Sequence, residues 1–88
     1  MSADTPQTRS PSGRRPLSEL PPGQKAVIDE VDASTAIGRR LQDLGFVART
    51  PVTVVRYAPL GDPVLYELRG TRLCLRRSEA KLIQVRPE

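Results

Sequence analysis

Val64-Leu65-Tyr66-Glu67-Leu68-Arg69-Gly70-Thr71-Arg72-Leu73-Cys74-Leu75-Arg76 is the stretch that decides the fold. It alternates twice. Val64, Tyr66 and Leu68 share one face, and after Gly70-Thr71 the leucines Leu73 and Leu75 face in while arginines face out. Gly70-Thr71 reads as the two-residue turn of a β-hairpin. On its N-terminal side, Pro59-Leu60-Gly61-Asp62-Pro63 is a loop pinned by two prolines. Before that loop, Val52-Thr53-Val54-Val55-Arg56-Tyr57 has the β-branched composition of a strand. Further back, Pro21-Pro22-Gly23 makes a turn into Lys25–Val31, a strand with Ala26 and Ile28 on one face and a ragged end. Beyond the hairpin, Ser78-Glu79-Ala80-Lys81 has the composition of one helical turn, and Leu82-Ile83-Gln84-Val85 reads as a closing strand. Five short strands cannot form two good sheets. The economical way to remove their edges is one small barrel, so the fold class is mainly β.

Between the first two strands the period changes to that of a helix, placed over residues 34–44. Ser34 is the expected cap, and Ile37, Leu41 and Leu44 recur at i, i+4 and i+7 as one apolar stripe. Gly45 stands where the helix should stop. With Gly45 just past the last turn, Leu41 and Phe46 become the apolar pair of a Schellman ending. Arg39 and Arg40 fall off the stripe and are expected at the surface.

Composition excludes much chemistry. The 88 residues contain no histidine and a single cysteine, Cys74. Imidazole-based triads, zinc helices and pH switches are ruled out, as are internal disulfides and cysteine-rich metal sites. An enzyme is not expected. The net charge is +4, and half of it belongs to residues 1–16, where Arg9, Arg14 and Arg15 outnumber Asp4. That Pro/Ser/Arg-rich segment has no large apolar side chain after Met1 and is expected to be disordered, with residues 17–88 forming the domain. Neither a secretory signal pattern nor an apolar run near the ~18 residues of a membrane span is visible, so a reducing, cytoplasmic setting is expected.

The residues in order — Leu17-x-x-Leu20-x-x-Gly23, Arg39-Arg40-Leu41-x-Asp43-Leu44-Gly45-Phe46, Pro59-Leu60-Gly61-Asp62-Pro63, Arg69-Gly70, Leu73-x-Leu75-Arg76-Arg77 and Glu79-Ala80 — resemble the FeoA family. The likeness spans about Leu17 to Val85. It implies a small SH3-like β-barrel with a helix inserted after the first strand. It also implies a cytoplasmic accessory protein of bacterial ferrous iron uptake that binds the cytosolic region of FeoB, a membrane permease with a GTP-binding domain. The family is further associated with transition-metal ion binding. Similar domains end the iron-dependent repressors of the DtxR type, which carry a DNA-binding domain first; this chain resembles the free-standing form. One departure stands out: Ala48-Arg49-Thr50 replaces the family's usual Pro-Gly-Thr or Lys-Gly-Thr. If that turn needs φ > 0, Arg49 incurs roughly 1 kcal/mol of strain.

The first candidate site is the loop Pro59, Leu60, Gly61, Asp62, Pro63. Its prolines restrict the backbone, Asp62 is placed to bond the loop's own amides, and Leu60 stands at the tip. A pre-ordered loop showing one apolar side chain loses little entropy when it docks into a partner. The competing structural reading folds Leu60 back over Tyr57 or Tyr66. Arg39, Arg40 and Arg69 are the candidate partner-binding arginines, although Asp43 lies within helical reach of the first two. Asp29, Glu30 and Asp32 cluster, yet strand alternation points Asp29 and Glu30 to opposite faces, so no metal ligands are assigned and no cofactor is expected. Alternation sends Cys74 outward between Arg72 and Arg76, either as a reactive thiol or, more commonly for a lone cysteine, as small apolar filler. The FeoB-type permease is the expected partner, with contact to the membrane only through it. Two alternatives remain open: a basic barrel binding nucleic acid through Arg56, Arg69, Arg72, Arg76 and Arg77 with Tyr57 and Tyr66 as stackers, and an SH3-like module for another protein.

Overall fold

The computed structural model describes residues 13–88. Along the chain run β1 (Arg15–Pro16), a 3₁₀ turn (Leu17–Glu19), β2 (Lys25–Val31), α1 (Ala36–Asp43), β3 (Pro51–Tyr57), β4 (Val64–Leu68), β5 (Thr71–Leu75), α2 (Arg77–Ala80) and β6 (Ile83–Pro87). The strands form one antiparallel sheet in the order β1-β6-β2-β3-β4-β5. The mainly β architecture with one inserted helix agrees with the sequence reading. A further strand appears because Arg15 and Pro16, grouped by sequence with the N-terminal segment, pair with Val85 and Gln84. Gly13 and Arg14 of that segment are also described, and residues 1–12 lie outside the described residues.

Among the described residues the ladder ends at β1 on one side and β5 on the other. The 3₁₀ turn and α2 pack together beside it. Leu17 and Ala80 are both fully buried there, and the Arg77 guanidinium donates to the Ser18 carbonyl at 3.2 Å. The core inside the curled sheet gathers Ala26 and Ile28 of β2, Val52 and Val54 of β3, Val64, Tyr66 and Leu68 of β4, Leu75, Ile83 and Val85, with Phe46 covering one end. These are the inward positions that alternation assigns.

α1 departs from expectation in two ways. It begins at Ala36, and its cap is Thr35, whose hydroxyl accepts from the Gly38 amide at 2.9 Å. Ser34 instead donates both its amide and its hydroxyl to the Asp32 carboxylate. The helix also buries a different face. Gly38 and Leu41 point inward, whereas Ile37 and Leu44, the ends of the expected stripe, are 47% and 46% exposed. The reason is a close approach: a Cβ on Gly38 would run into the Asp32 carbonyl oxygen. Only glycine lets the first turn lie against that backbone, and this rotates the apolar stripe toward solvent.

The helix ends as the sequence foretells. Phe46 N donates to Leu41 O and Gly45 N to Gln42 O, both at 3.0 Å, with Gly45 at φ +113° and Leu41 and Phe46 buried. That is the Schellman pattern. The β4–β5 turn is displaced by one residue from the expected Gly70-Thr71. Arg69 (φ 53°) and Gly70 (φ 82°) are its central residues, and Leu68 pairs with Thr71. Two positive φ values in succession give the primed turn whose twist suits a hairpin. Arg49 does take φ 68°. Its amide donates to Ile28 O at 2.7 Å while Ile28 N donates to Thr50 O at 2.9 Å, which fixes the strained turn against β2.

Candidate functional site

Two β-bulges shape the surface. In β3 the register against β4 shifts between Val54 and Arg56, so that Val54 opposes Tyr66 but Arg56 opposes Leu65 and Tyr57 opposes Val64. Val55 is the extra residue. Without it Arg56 would follow Val52 and Val54 inward; with it Arg56 turns outward and Tyr57 inward. Tyr57 is half-buried and its hydroxyl donates to Leu20 O at 2.7 Å. Since Leu65 in turn opposes Cys74, the outer face carries a row Arg56, Leu65, Cys74 across three strands. Beside that row lies a groove of about 480 Å³, completed by Tyr57, Ala58, Pro59 and Pro63.

The loop 59–63 stands over this groove. Ala58 N donates to Pro63 O at 3.0 Å and Gly61 N to Ala58 O at 2.7 Å, closing the loop on itself, and Asp62-Pro63 is a cis peptide. Leu60 is 97% exposed, so it does not fold back over either tyrosine. Asp62 does not bond the loop's own amides. Its carboxylate accepts from the Arg77 amide at 3.0 Å, at the start of α2. Sequence reasoning placed Arg77 only among the arginines of the nucleic-acid alternative and missed its role as an anchor of the loop. Its Nε donates to Gly61 O at 2.9 Å, and its guanidinium lies 4.6 Å from the Tyr57 ring centroid. One side chain thereby ties the loop to β3 and, through Ser18, to the 3₁₀ turn. The Arg76-Arg77 doublet gave no means of telling which arginine turns inward.

The arginines do not join the loop. Arg69 sits at the other end of β4, on the order of 16 Å away at ~3.3 Å per residue, and reaches Thr50 Oγ1 at 3.5 Å. Arg39 and Arg40 are exposed on α1, and Arg39 donates to Ala33 O at 3.1 Å. Cys74 is an exposed free thiol. It is outward, as alternation required, and not core filler.

The acidic cluster is also rearranged by a bulge. The β2–β6 register shifts between Ile28 and Glu30, leaving Asp29 as the extra residue. Asp29 and Glu30 are therefore not sent to opposite sides: Arg14 bonds both carboxylates at 2.8 Å, and Arg86 approaches Asp29 at 3.3 Å. Among the described residues no three His, Cys, Asp or Glu side chains converge as a metal would need. With no histidine and those carboxylates held by arginine, the donors do not fit a transition-metal site. Among the described residues two titrations are displaced. Hydrogen bonds from the Ser34 hydroxyl and amide hold the Asp32 carboxyl below its ordinary range. Burial, aided by nearby Tyr57, pushes the Tyr66 phenol up to about 12.

Comparison with known proteins places this architecture. The family model for the FeoA domain matches residues 15–87. Over 69 residues the chain is 42% identical to a Porphyromonas gingivalis protein described as a fusion of Fe(2+) transport protein A with the Fe(2+) transporter FeoB. That stretch is 78% of this chain, and the chain spans only 8% of the fusion protein's length. Among solved structures, Stenotrophomonas maltophilia FeoA complexed with zinc, described as a prokaryotic SH3 domain protein, is 45% identical with a TM-score of 0.70. The match covers 78% of this chain and 86% of that one. A FeoA-like protein from Clostridium acetobutylicum is 34% identical with a TM-score of 0.79, covering 83% and 85% of the two chains. With nearly the whole described domain inside the family model, and the same barrel in solved relatives, this chain belongs to the FeoA family.

Proposed function

We propose that this protein is a non-enzymatic adaptor of ferrous iron uptake, working in the cytoplasm by binding the cytosolic region of a FeoB-type permease and modulating it. The observation that carries the reading is the fusion. A segment 42% identical to this chain is joined in one polypeptide to an iron transporter, and covalent linkage supplies a high effective concentration that separate chains must replace with affinity. The chain's own surface supports the same reading. The loop Pro59–Pro63 is tied at its base and by Arg77, so Leu60 is offered to a partner with little ordering left to do. Arg39, Arg40 and Arg69, lying apart from the loop, are secondary contacts.

Modulation follows from differential affinity. The domain shifts the permease between conformations only by as much as it prefers one of them. Titration of the purified chain into the permease's cytosolic region, with and without guanine nucleotide and Fe(II), tests this. Binding that differs between states is expected, and Leu60→Ser should weaken it about tenfold without moving the melting temperature, since burying one leucine is worth ~1.5–3 kcal/mol. No binding in any state overturns the adaptor reading; binding that is equal in all states overturns modulation. Unchanged affinity of Leu60→Ser removes the loop from the interface.

A further inference from the structure

The unused feature of the fold is its β5 edge. A two-residue turn makes Leu68 and Thr71 a hydrogen-bonded pair, so alternation gives β4 the amides and carbonyls of Thr71, Leu73 and Leu75. Those of Arg72 and Cys74 point away from β4. No strand lies beyond β5 among the described residues, and both residues are exposed. A row of unpaired donors and acceptors is a template for another strand.

Charge says what that strand is. The outer side chains along the edge are Arg72, Cys74 and Arg76, with Arg56 two strands away in the same groove. Two carboxylates lie near: Glu67 pairs with the exposed Arg72 at 3.7 Å, and Glu79 accepts from the Arg76 amide at 2.9 Å, which leaves the Arg76 guanidinium exposed to a partner. A second copy of this chain is disfavoured. Pairing β5 with another β5 about Cys74 would set Arg72 of each copy against Arg76 of the other, and like charges directly opposite destabilise a ladder. The chain's own residues 1–12 carry one aspartate and one arginine, with no acidic run to offer.

We propose that the β5 edge is a docking edge for an extended acidic segment of a partner protein, which adds to the sheet as a further strand. Its backbone bonds Arg72 and Cys74, its carboxylates face Arg72 and Arg76, and a small apolar side chain rests on Cys74 and Leu65 in the groove. This is strand addition, in which main-chain bonds supply affinity and alternate side chains supply specificity. The surface is distinct from the Leu60 tip, and the proposal does not depend on which protein the loop engages.

The test uses the ¹⁵N-labelled full chain and a synthetic peptide, acetyl-Gly-Glu-Thr-Val-Thr-Glu-Gly-amide, whose two glutamates and valine share one face. The peptide should shift and slow exchange of the Arg72 and Cys74 amides, with binding that weakens as salt rises. Replacing its glutamates by lysines should lower affinity about tenfold or more, since each reversed cross-strand charge contributes up to ~1 kcal/mol. Cys74→Pro should abolish binding while leaving the β4 ladder intact, because it removes only the outward donor and proline is tolerated on an edge strand. The double variant Arg72→Glu/Arg76→Glu should prefer the lysine peptide, so the idea stands or falls even where the proline variant does not fold. No perturbation of those two amides at millimolar peptide overturns it and leaves the arginines as protection against aggregation. Equal binding of both peptides overturns it as well.

Discussion

Gly38 is a residue whose sequence setting misleads. In the middle of a helix, glycine costs ~1 kcal/mol relative to alanine, so Gly38→Ala reads as stabilising. The structure reverses the sign, because the added Cβ would collide with the Asp32 carbonyl and crowd Thr35 Oγ1 at 3.1 Å. Backbone oxygen cannot swing aside as a flexible side chain can, and overpacking of this kind costs ~1–3 kcal/mol. Denaturant unfolding of Gly38→Ala should show a net loss of up to about 2 kcal/mol after the propensity gain; a raised midpoint would mean the helix can lift off β2 freely. Arg49 illustrates the opposite case. The sequence exposed its strain as a conditional, since arginine stands where the family resemblance implies glycine, and φ 68° satisfies the condition.

At the level of elements, the two bulges become legible only once burial is known, because Val27 and Val55 blur the alternation in the sequence. Inward residues run Ala26, Ile28, then Val31, and again Val52, Val54, then Tyr57. Each series changes from even to odd numbers, which a regular strand cannot do without an extra residue. The cap of α1 was less legible, because Ser34-Thr35 offers two hydroxyls side by side and only geometry chooses between them. Their separate roles give distinct expectations. Thr35→Ala should cost about 1 kcal/mol through the lost bond to the Gly38 amide. Ser34→Ala should cost less, and its signature lies in titration. Asp32 has a depressed folded pKa, so its small contribution is present above the unfolded value and disappears as pH falls through the folded one. Carboxyl NMR of Ser34→Ala should show the Asp32 midpoint rising toward its ordinary value; an unchanged midpoint would refute the role given to Ser34.

For the whole molecule, burial of Tyr66 sets an alkaline limit. Its folded pKa, pushed up to about 12, lies above the unfolded value of 10.0, so its protonated form is favoured by folding. Stability is complete below pH 10 and declines as pH rises toward 12, by on the order of 2–3 kcal/mol at ~1.4 kcal/mol per pH unit. Tyr66→Phe should flatten that decline in denaturant midpoints measured between pH 9 and 12. The same slope in wild type and variant would show that Tyr66 is not its cause. The barrel's integrity there also depends on Arg77, whose contacts to Gly61, Ser18 and Tyr57 join segments far apart in the chain.

What the amino-acid order determined by itself is local: which residues alternate, where glycine and proline end an element, and that no histidine or cysteine cluster exists to do chemistry. Those properties act over a few neighbouring residues and survive in any tertiary setting, so the five strands from Lys25 onward, the Schellman ending and the proline-pinned loop could be read directly, while the exposure of Leu60 could not. Only the folded molecule decided which face of α1 is buried, which arginine anchors the loop, and which strand edge stays open. Each depends on a contact between residues distant in the chain — Gly38 on Asp32, Arg77 on Ser18, β5 left at the end of the ladder. Such contacts follow from packing the whole sheet at once, and no window of sequence contains both partners and the space between them.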